Sequence, residues 1–174
     1  MRLVKPSIKF QESYDRYIKE LGSEERYPFP LDFDYTDFSA YLSKVDEFSK
    51  GNNLPEGYVQ SSTLWLISND EIVGITNVRH RLNPSIERCG GHIGLSIKPS
   101  ERGKNLGKAL MKMSIDFLSN NLGVKTIHIH CYKNNAASSN TIKACGGVLH
   151  SEIEDNGQAV ERYVALTQNR FKHQ

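Results

Sequence analysis

Ser100-Glu-Arg-Gly-Lys-Asn-Leu-Gly-Lys-Ala-Leu110 is the stretch on which the reading of this chain turns. Before it, His92-Ile-Gly-Leu-Ser-Ile97 alternates polar or small residues with Ile93, Leu95 and Ile97, the pattern of a strand with one apolar face. Pro99 ends that strand. After it, Leu106, Leu110, Met113 and Phe117 recur at helical spacing, with Lys104, Lys108 and Lys112 on another face. The loop between strand and helix carries Arg102, Gly103, Lys104, Asn105 and Gly107. Small residues let backbone N–H groups turn outward, and a helix start adds its positive dipole end, so the loop suits a phosphate or pyrophosphate.

Two common phosphate loops do not fit. A P-loop needs four residues between its first glycine and Gly-Lys-Ser/Thr, whereas Gly103 and Gly107-Lys108-Ala109 are separated by three, and Ala109 has no hydroxyl. The Gly-x-Gly-x-x-Gly of a dinucleotide fold is absent. A second segment follows. Lys125-Thr-Ile-His-Ile-His-Cys-Tyr132 reads as a strand, and Asn135-Ala-Ala-Ser-Ser-Asn-Thr-Ile-Lys-Ala-Cys-Gly-Gly147 as a helix with an Asn/Ser cap and a glycine stop.

Together and in this order, the two segments resemble the GNAT superfamily of acetyl-CoA-dependent N-acetyltransferases. Arg102-Gly-Lys-Asn-Leu-Gly107 is similar to its Arg/Gln-x-x-Gly-x-Gly/Ala signature, with Asn105 where glycine is usual. Asn is the residue next most tolerant of positive φ, so the loop can keep its shape. Asn135, Ser138, Ile142 and Gly146 match the offsets of the family's second segment, and Gly147 replaces its usual Phe. The resemblance covers residues 91–147 and extends upstream, where Gly90-Gly-His-Ile-Gly-Leu-Ser-Ile-Lys-Pro-Ser-Glu-Arg102 is similar to a bacterial, mostly uncharacterised branch.

That resemblance implies an α/β (α+β) fold: a mixed, mostly antiparallel central sheet flanked by helices, in the order βααβββαβαββ. Its fourth and fifth strands splay apart and receive the cofactor. It implies acetyl-CoA as co-substrate and direct transfer to a primary amine, either a small molecule or a peptide. The pantetheine arm would pair with Leu95, Ser96 and Ile97, with an oxyanion donor at a bulge near Leu95 or Ser96. The pyrophosphate would rest on Arg102, Gly103, Lys104, Asn105, Leu106, Gly107 and Lys108, and Asn135 and Ser138 would also touch CoA. Many members carry a Glu base where this chain has Gly91, so His92 and His130 are the candidate bases. Tyr132, on the same strand face as His128 and His130, or Ser138 would protonate the thiolate, because Ile142 occupies the position of the family's usual Tyr. The competing classes are a CoA-binding regulatory module without catalysis and a phosphate-binding nucleotide enzyme.

The rest of the chain sets the context. Its 174 residues fit a single domain spanning 1–174, and 38% hydrophobic with 24% charged residues is a soluble composition. Arg2, Lys5 and Lys9 leave no apolar run for a signal peptide, and no stretch nears the roughly 18 apolar residues of a membrane span. Cys89, Cys131 and Cys145 read as reduced thiols in a cytoplasmic protein, and the histidine strands lack a carboxylate partner, so no metal is expected. Net charge is +2, but residues 1–70 hold 8 Lys/Arg against 12 Asp/Glu, so the remainder is basic and suits an anionic cofactor. No basic stripe or aromatic ladder points to nucleic acid; a homodimer is compatible.

Coarse periodicity predicts helices over Pro6–Leu21 and from Thr36 or Asp37 to Gly51. It predicts strands at Leu3-Val4, Ser62–Ser68, Glu71–Arg81, Cys89–Ile97, Val148–Glu154 and Ala159–Leu166. The loop from Tyr27 to Phe38 interleaves Phe29, Phe33 and Tyr35 with Asp32, Asp34 and Asp37, and is expected to receive a cationic acceptor.

Overall fold

The computed structural model describes residues 1–167. Strand β1 (Arg2–Val4) pairs with β2 (Ser61–Ser68), which forms a hairpin with β3 (Glu71–Arg79). Asn69 and Asp70 turn this hairpin with φ of 50° and 59°, a left-handed pair that short polar side chains accept. Strand β4 (Ile93–Ile97) lies antiparallel on β3 and closes a sheet of order β1-β2-β3-β4. A second sheet of order β5-β7-β6 holds β5 (Thr126–Tyr132), β6 (Val148–Asp155) and β7 (Gln158–Leu166).

Helix α1 (Gln11–Leu21) packs Tyr14, Tyr17, Ile18 and Leu21 inward, at helical spacing, and α2 (Phe38–Lys50) does the same with Phe38, Tyr41, Val45 and Phe48. Asp37 caps α2 by accepting the Ala40 N–H at 3.1 Å. Both helices cover one face of the first sheet, where Tyr14 stacks on Trp65 with ring centroids 5.4 Å apart. Helix α4 (Leu106–Leu122) covers the opposite face. Its Leu110 and Leu118 are fully buried, and truncating either to Ala would cost about 2–5 kcal/mol. Helix α5 (Ala136–Ala144) packs against α4 and β5.

The element order follows the expected βααβββαβαββ with one insertion. Helix α3 (Pro84–Arg88) precedes the stretch predicted as strand from Cys89, and β4 itself starts only at Ile93. Asn83 accepts the Ile86 N–H at 2.9 Å and Pro84 occupies the first turn, which starts this short helix in a segment between two predicted strands. Another correction concerns α1, which starts at Gln11 rather than at Pro6, a 3-10 turn over Ile8–Phe10 preceding it.

Among the described residues, a backbone bridge joins the two sheets at Gly91. Gly91 bridges to Ile129, and the His92 N–H donates to the His128 carbonyl at 2.7 Å. Gly91 has φ +69°, and a Cβ there would sit 2.6 Å from the His128 carbonyl oxygen. Only glycine allows the backbones this close. Beyond the bridge β4 and β5 diverge and leave a cleft.

Candidate active site

The cleft between β4 and β5 offers an unpaired strand edge. Arg79 N–H bonds the His92 carbonyl at 2.8 Å, and Lys98 N–H bonds that of Val73 at 3.0 Å. By the alternation of an antiparallel ladder, the N–H and C=O groups of Leu95 and Ile97 then face away from β3, toward the opening. The register runs without a shift from Val78–Ile93 to Gly74–Ile97, so the bulge expected near Leu95 or Ser96 is absent. The splay comes from the lost pairing with β5.

Side chains follow the same alternation. Leu95 and Ile97 lie toward α4, whereas Ser96 accepts or donates a 2.8 Å hydrogen bond with buried Tyr17 of α1. Gly94 leaves room for Tyr27: an added Cβ would lie 2.9 Å from the Tyr27 hydroxyl. The Tyr27 ring is half exposed, but its hydroxyl lies beneath, and burial raises its pKa.

Two cavities, of about 550 and 500 Å³, share Leu95, Arg102, Asn135 and Ser138, and so form one continuous cleft. The second is lined by the phosphate-loop candidates Gly103, Asn105, Leu106, Gly107 and Lys108, together with Ile97. Asn105 takes φ +60° just before α4 and does not cap it, which leaves the first-turn N–H groups of Leu106, Gly107 and Lys108 without an intrahelical acceptor. A side chain at Gly107 would meet nothing closer than Ile97 at 3.9 Å, so it would project into the cavity. Lys104 pairs with Glu101 at 3.1 Å, while Lys108 makes no ion pair among the described residues. Asn135 caps α5 through the Ser138 N–H at 3.1 Å. The start of α4 thus presents open backbone donors of the kind that suits an anion.

The first cavity holds Tyr27, Cys89, His130 and Tyr132, with Glu24 and Glu25 on its rim. His92 is not among its lining residues. Its Nδ1 accepts the His128 N–H at 2.9 Å, and burial pushes its pKa down to about 4. His130 does line the cavity and is similarly held, its Nδ1 accepting the Gly90 N–H at 3.0 Å. Burial, then the neighbouring His128, pushes its pKa down to about 4 as well. In both rings the proton therefore stays on Nε2, and no lone pair is free to take another. The geometry argues against either as a base. His130 Nε2 is buried without a partner, a donor left unused. Tyr132 ends β5, 46% exposed, and lines the cavity.

The chain is similar to known proteins in a consistent way. Residues 10–148 match the family model described as an acetyltransferase (GNAT) domain. The chain belongs to the GNAT acetyltransferases. Its fold is that of ribosomal-protein-S5-alanine acetyltransferase from Vibrio fischeri, at 16% identity and a TM-score of 0.71, covering 97% of this chain and 92% of that one. A spermidine N-acetyltransferase variant from Vibrio cholerae aligns at 15% identity and a TM-score of 0.65, covering 95% of each. No curated protein matches. As a GNAT the chain is an acyl-CoA-dependent N-acetyltransferase, and the family uses acetyl-CoA as co-substrate.

Several departures from the GNAT pattern now have physical reasons. Gly91 replaces the usual Glu because the sheets meet there without room for a Cβ. Gly147 replaces Phe because a Cβ there would lie 2.4 Å from the Ile142 side chain. The acceptor loop differs from expectation. Asp34 accepts the Thr36 N–H at 2.9 Å, Asp37 caps α2, and neither these nor Asp32 lines either cleft cavity. Phe29 and Phe33 pack on Phe48 at 5.4 and 5.5 Å. Of that loop only Tyr27 reaches the cleft. Glu24, Glu25 and Cys89 line it without having been singled out from sequence; Glu24 and Glu25 belong to the acidic first half, but nothing in the spacing marks them.

Among the described residues no helix is long and apolar enough to cross a membrane.

Proposed function

We propose that this GNAT moves an acetyl group from acetyl-CoA directly to a primary amine within a ternary complex. The observation that carries the reading is the continuous cleft: open amides of residues 106–108 at one end, a carboxylate-rimmed cavity at the other, and the free edge of β4 between. The pyrophosphate would lie on those amides with Arg102, Lys104 and Lys108, and the pantetheine arm along Leu95 to Ile97. The Leu95 N–H, facing the opening, would donate to the thioester carbonyl, and such donors contribute about 3–4 kcal/mol to acyl transfer.

Direct transfer also fits the thiols. Cys89 and Cys131 line the cleft, but burial raises the pKa of both, so neither is activated as a nucleophile. Tyr132 would protonate the departing thiolate, a role its position on the cavity lining supports. The acceptor's own proton would pass to the rim carboxylates or to solvent, because the two held histidines have no lone pair to offer. The free cysteines fit a reducing compartment such as the cytoplasm.

The pinned histidines and Gly91 favour one other reading, a CoA-binding module without turnover. Thiol release from acetyl-CoA separates them, using alkyl monoamines, diamines, aminoglycosides, amino-acid amides and peptides with free N-termini. Release with at least one amine supports transfer. Tight acetyl-CoA binding with no amine turned over supports the module.

A further inference from the structure

Arg102 stands where the two cavities meet and lines both. Its Nε–H donates to the Ile97 carbonyl at 3.1 Å, which anchors the side chain to the free edge of β4. Its Nη1 and Nη2 then grip Glu24, at 3.1 Å to Oε1 and 2.7 Å to Oε2. The pair joins the end of α1 to the phosphate loop. Two neighbouring contacts run the same way: Glu20 accepts the Ser100 N–H at 2.6 Å, and Tyr17 meets Ser96.

This grip holds the two halves of the cleft in check. Hydrogen bonding to Arg102 lowers the Glu24 pKa, and the same contact raises that of Arg102. Both side chains are nevertheless 47% exposed, and an exposed pair is worth at most about 1 kcal/mol. A phosphate offers the guanidinium fork more charge and equally good geometry, and the open amides of residues 106–108 already gather anions beside it. Among the described residues Arg102 is also the sole lysine or arginine lining the acceptor cavity. If it turns to the phosphates, no lysine or arginine lines that cavity beside Glu24 and Glu25; the nearby Arg26 guanidinium is engaged by the Glu24 and Gly22 backbone carbonyls, at 3.0 and 2.7 Å.

We propose that binding of acetyl-CoA hands Arg102 from Glu24 to the cofactor's phosphates, and that the freed Glu24 carboxylate then holds the ammonium of a cationic acceptor. The inference rests on the acetyl-CoA reading above. Glu24 becomes a specificity residue that is available only once the cofactor is in place, which orders binding: acetyl-CoA first, amine second.

The test compares Glu24→Gln with Glu25→Gln, both surface changes. Calorimetric titration with CoA should show Glu24→Gln binding about three to five times more tightly than wild type, since the competitor for Arg102 is gone. Glu25→Gln, which has no arginine partner, should leave CoA affinity within about twofold. With the fastest amine of the panel, Glu24→Gln should raise the acceptor KM about tenfold, and Glu25→Gln should raise it less. Unchanged or weaker CoA binding in Glu24→Gln overturns the handover, as does equal tightening in both variants, which would be a general charge effect. An unmoved acceptor KM overturns the role of Glu24 in the second step. Wild-type protein that binds no CoA would instead sink the cofactor reading itself.

Discussion

The Gly90 N–H donates to His130 Nδ1 at 3.0 Å, and this one bond decides what the imidazole can do. With Nδ1 occupied as an acceptor, the neutral ring keeps its proton on Nε2 and offers donation only. His92 is fixed in the same sense by the His128 N–H. One histidine lining the cleft and one buried beside it are thus turned by backbone contacts into parts of the sheet junction.

A pH prediction follows. Both folded pKa values are pushed down to about 4, below the ordinary 6.5 that applies to the unfolded chain. The unfolded chain therefore takes up protons first on acidification. The stability these rings contribute is complete above about pH 6.5 and is lost as pH falls toward 4, by as much as about 3 kcal/mol per ring. Urea midpoints measured at pH 7.5, 5.5 and 4.5 should fall steadily, and the drop should shrink in His130→Gln. Activity should show no limb near pH 6.5 that disappears in His130→Gln; such a limb would restore His130 as a base.

Gly91→Ala should cost at least about 2 kcal/mol. The left-handed φ alone penalises any side chain by roughly 1–2 kcal/mol, and the Cβ must also displace the His128 carbonyl at 2.6 Å. Denaturant unfolding checks the value. A loss under 0.5 kcal/mol, by order of magnitude, would mean that the junction yields easily and does not set the cleft.

Much of this was legible in the sequence, and the exceptions have causes. The units around Ile93–Leu110 and Thr126–Gly146 announced themselves because period-two strands run directly into helices with apolar stripes. Asn105 was readable as a left-handed residue, and its φ of +60° bears that out. Asp32, Asp34 and Asp37 misled because Asp serves equally as a capping group and as a cation site, and only the backbone partners separate the two. Glu24 was invisible for another reason: its partner Arg102 is 78 residues away, and no local pattern carries such a contact. The tautomers of His92 and His130 depend on backbone donors that no spacing reveals.

Gly107→Glu should weaken acetyl-CoA binding at least tenfold, about 1.4 kcal/mol, while leaving the thermal midpoint nearly unchanged. The added carboxylate enters the cavity where the open amides gather, since nothing but Ile97 and Thr141 lies within 4 Å of its Cβ. Arg102→Ala should weaken binding less, because backbone donors carry most of the cradle. Unaltered affinity in folded Gly107→Glu would place the phosphates elsewhere.

The most direct test of direct transfer across the split sheet is an initial-rate measurement of thiol release, varying acetyl-CoA against the best amine of the panel. The account predicts intersecting double-reciprocal lines, no thiol release without amine, and no acetyl adduct on the protein by intact mass. Parallel lines with acetyl retained on Cys89 or Cys131 before amine is added would contradict it.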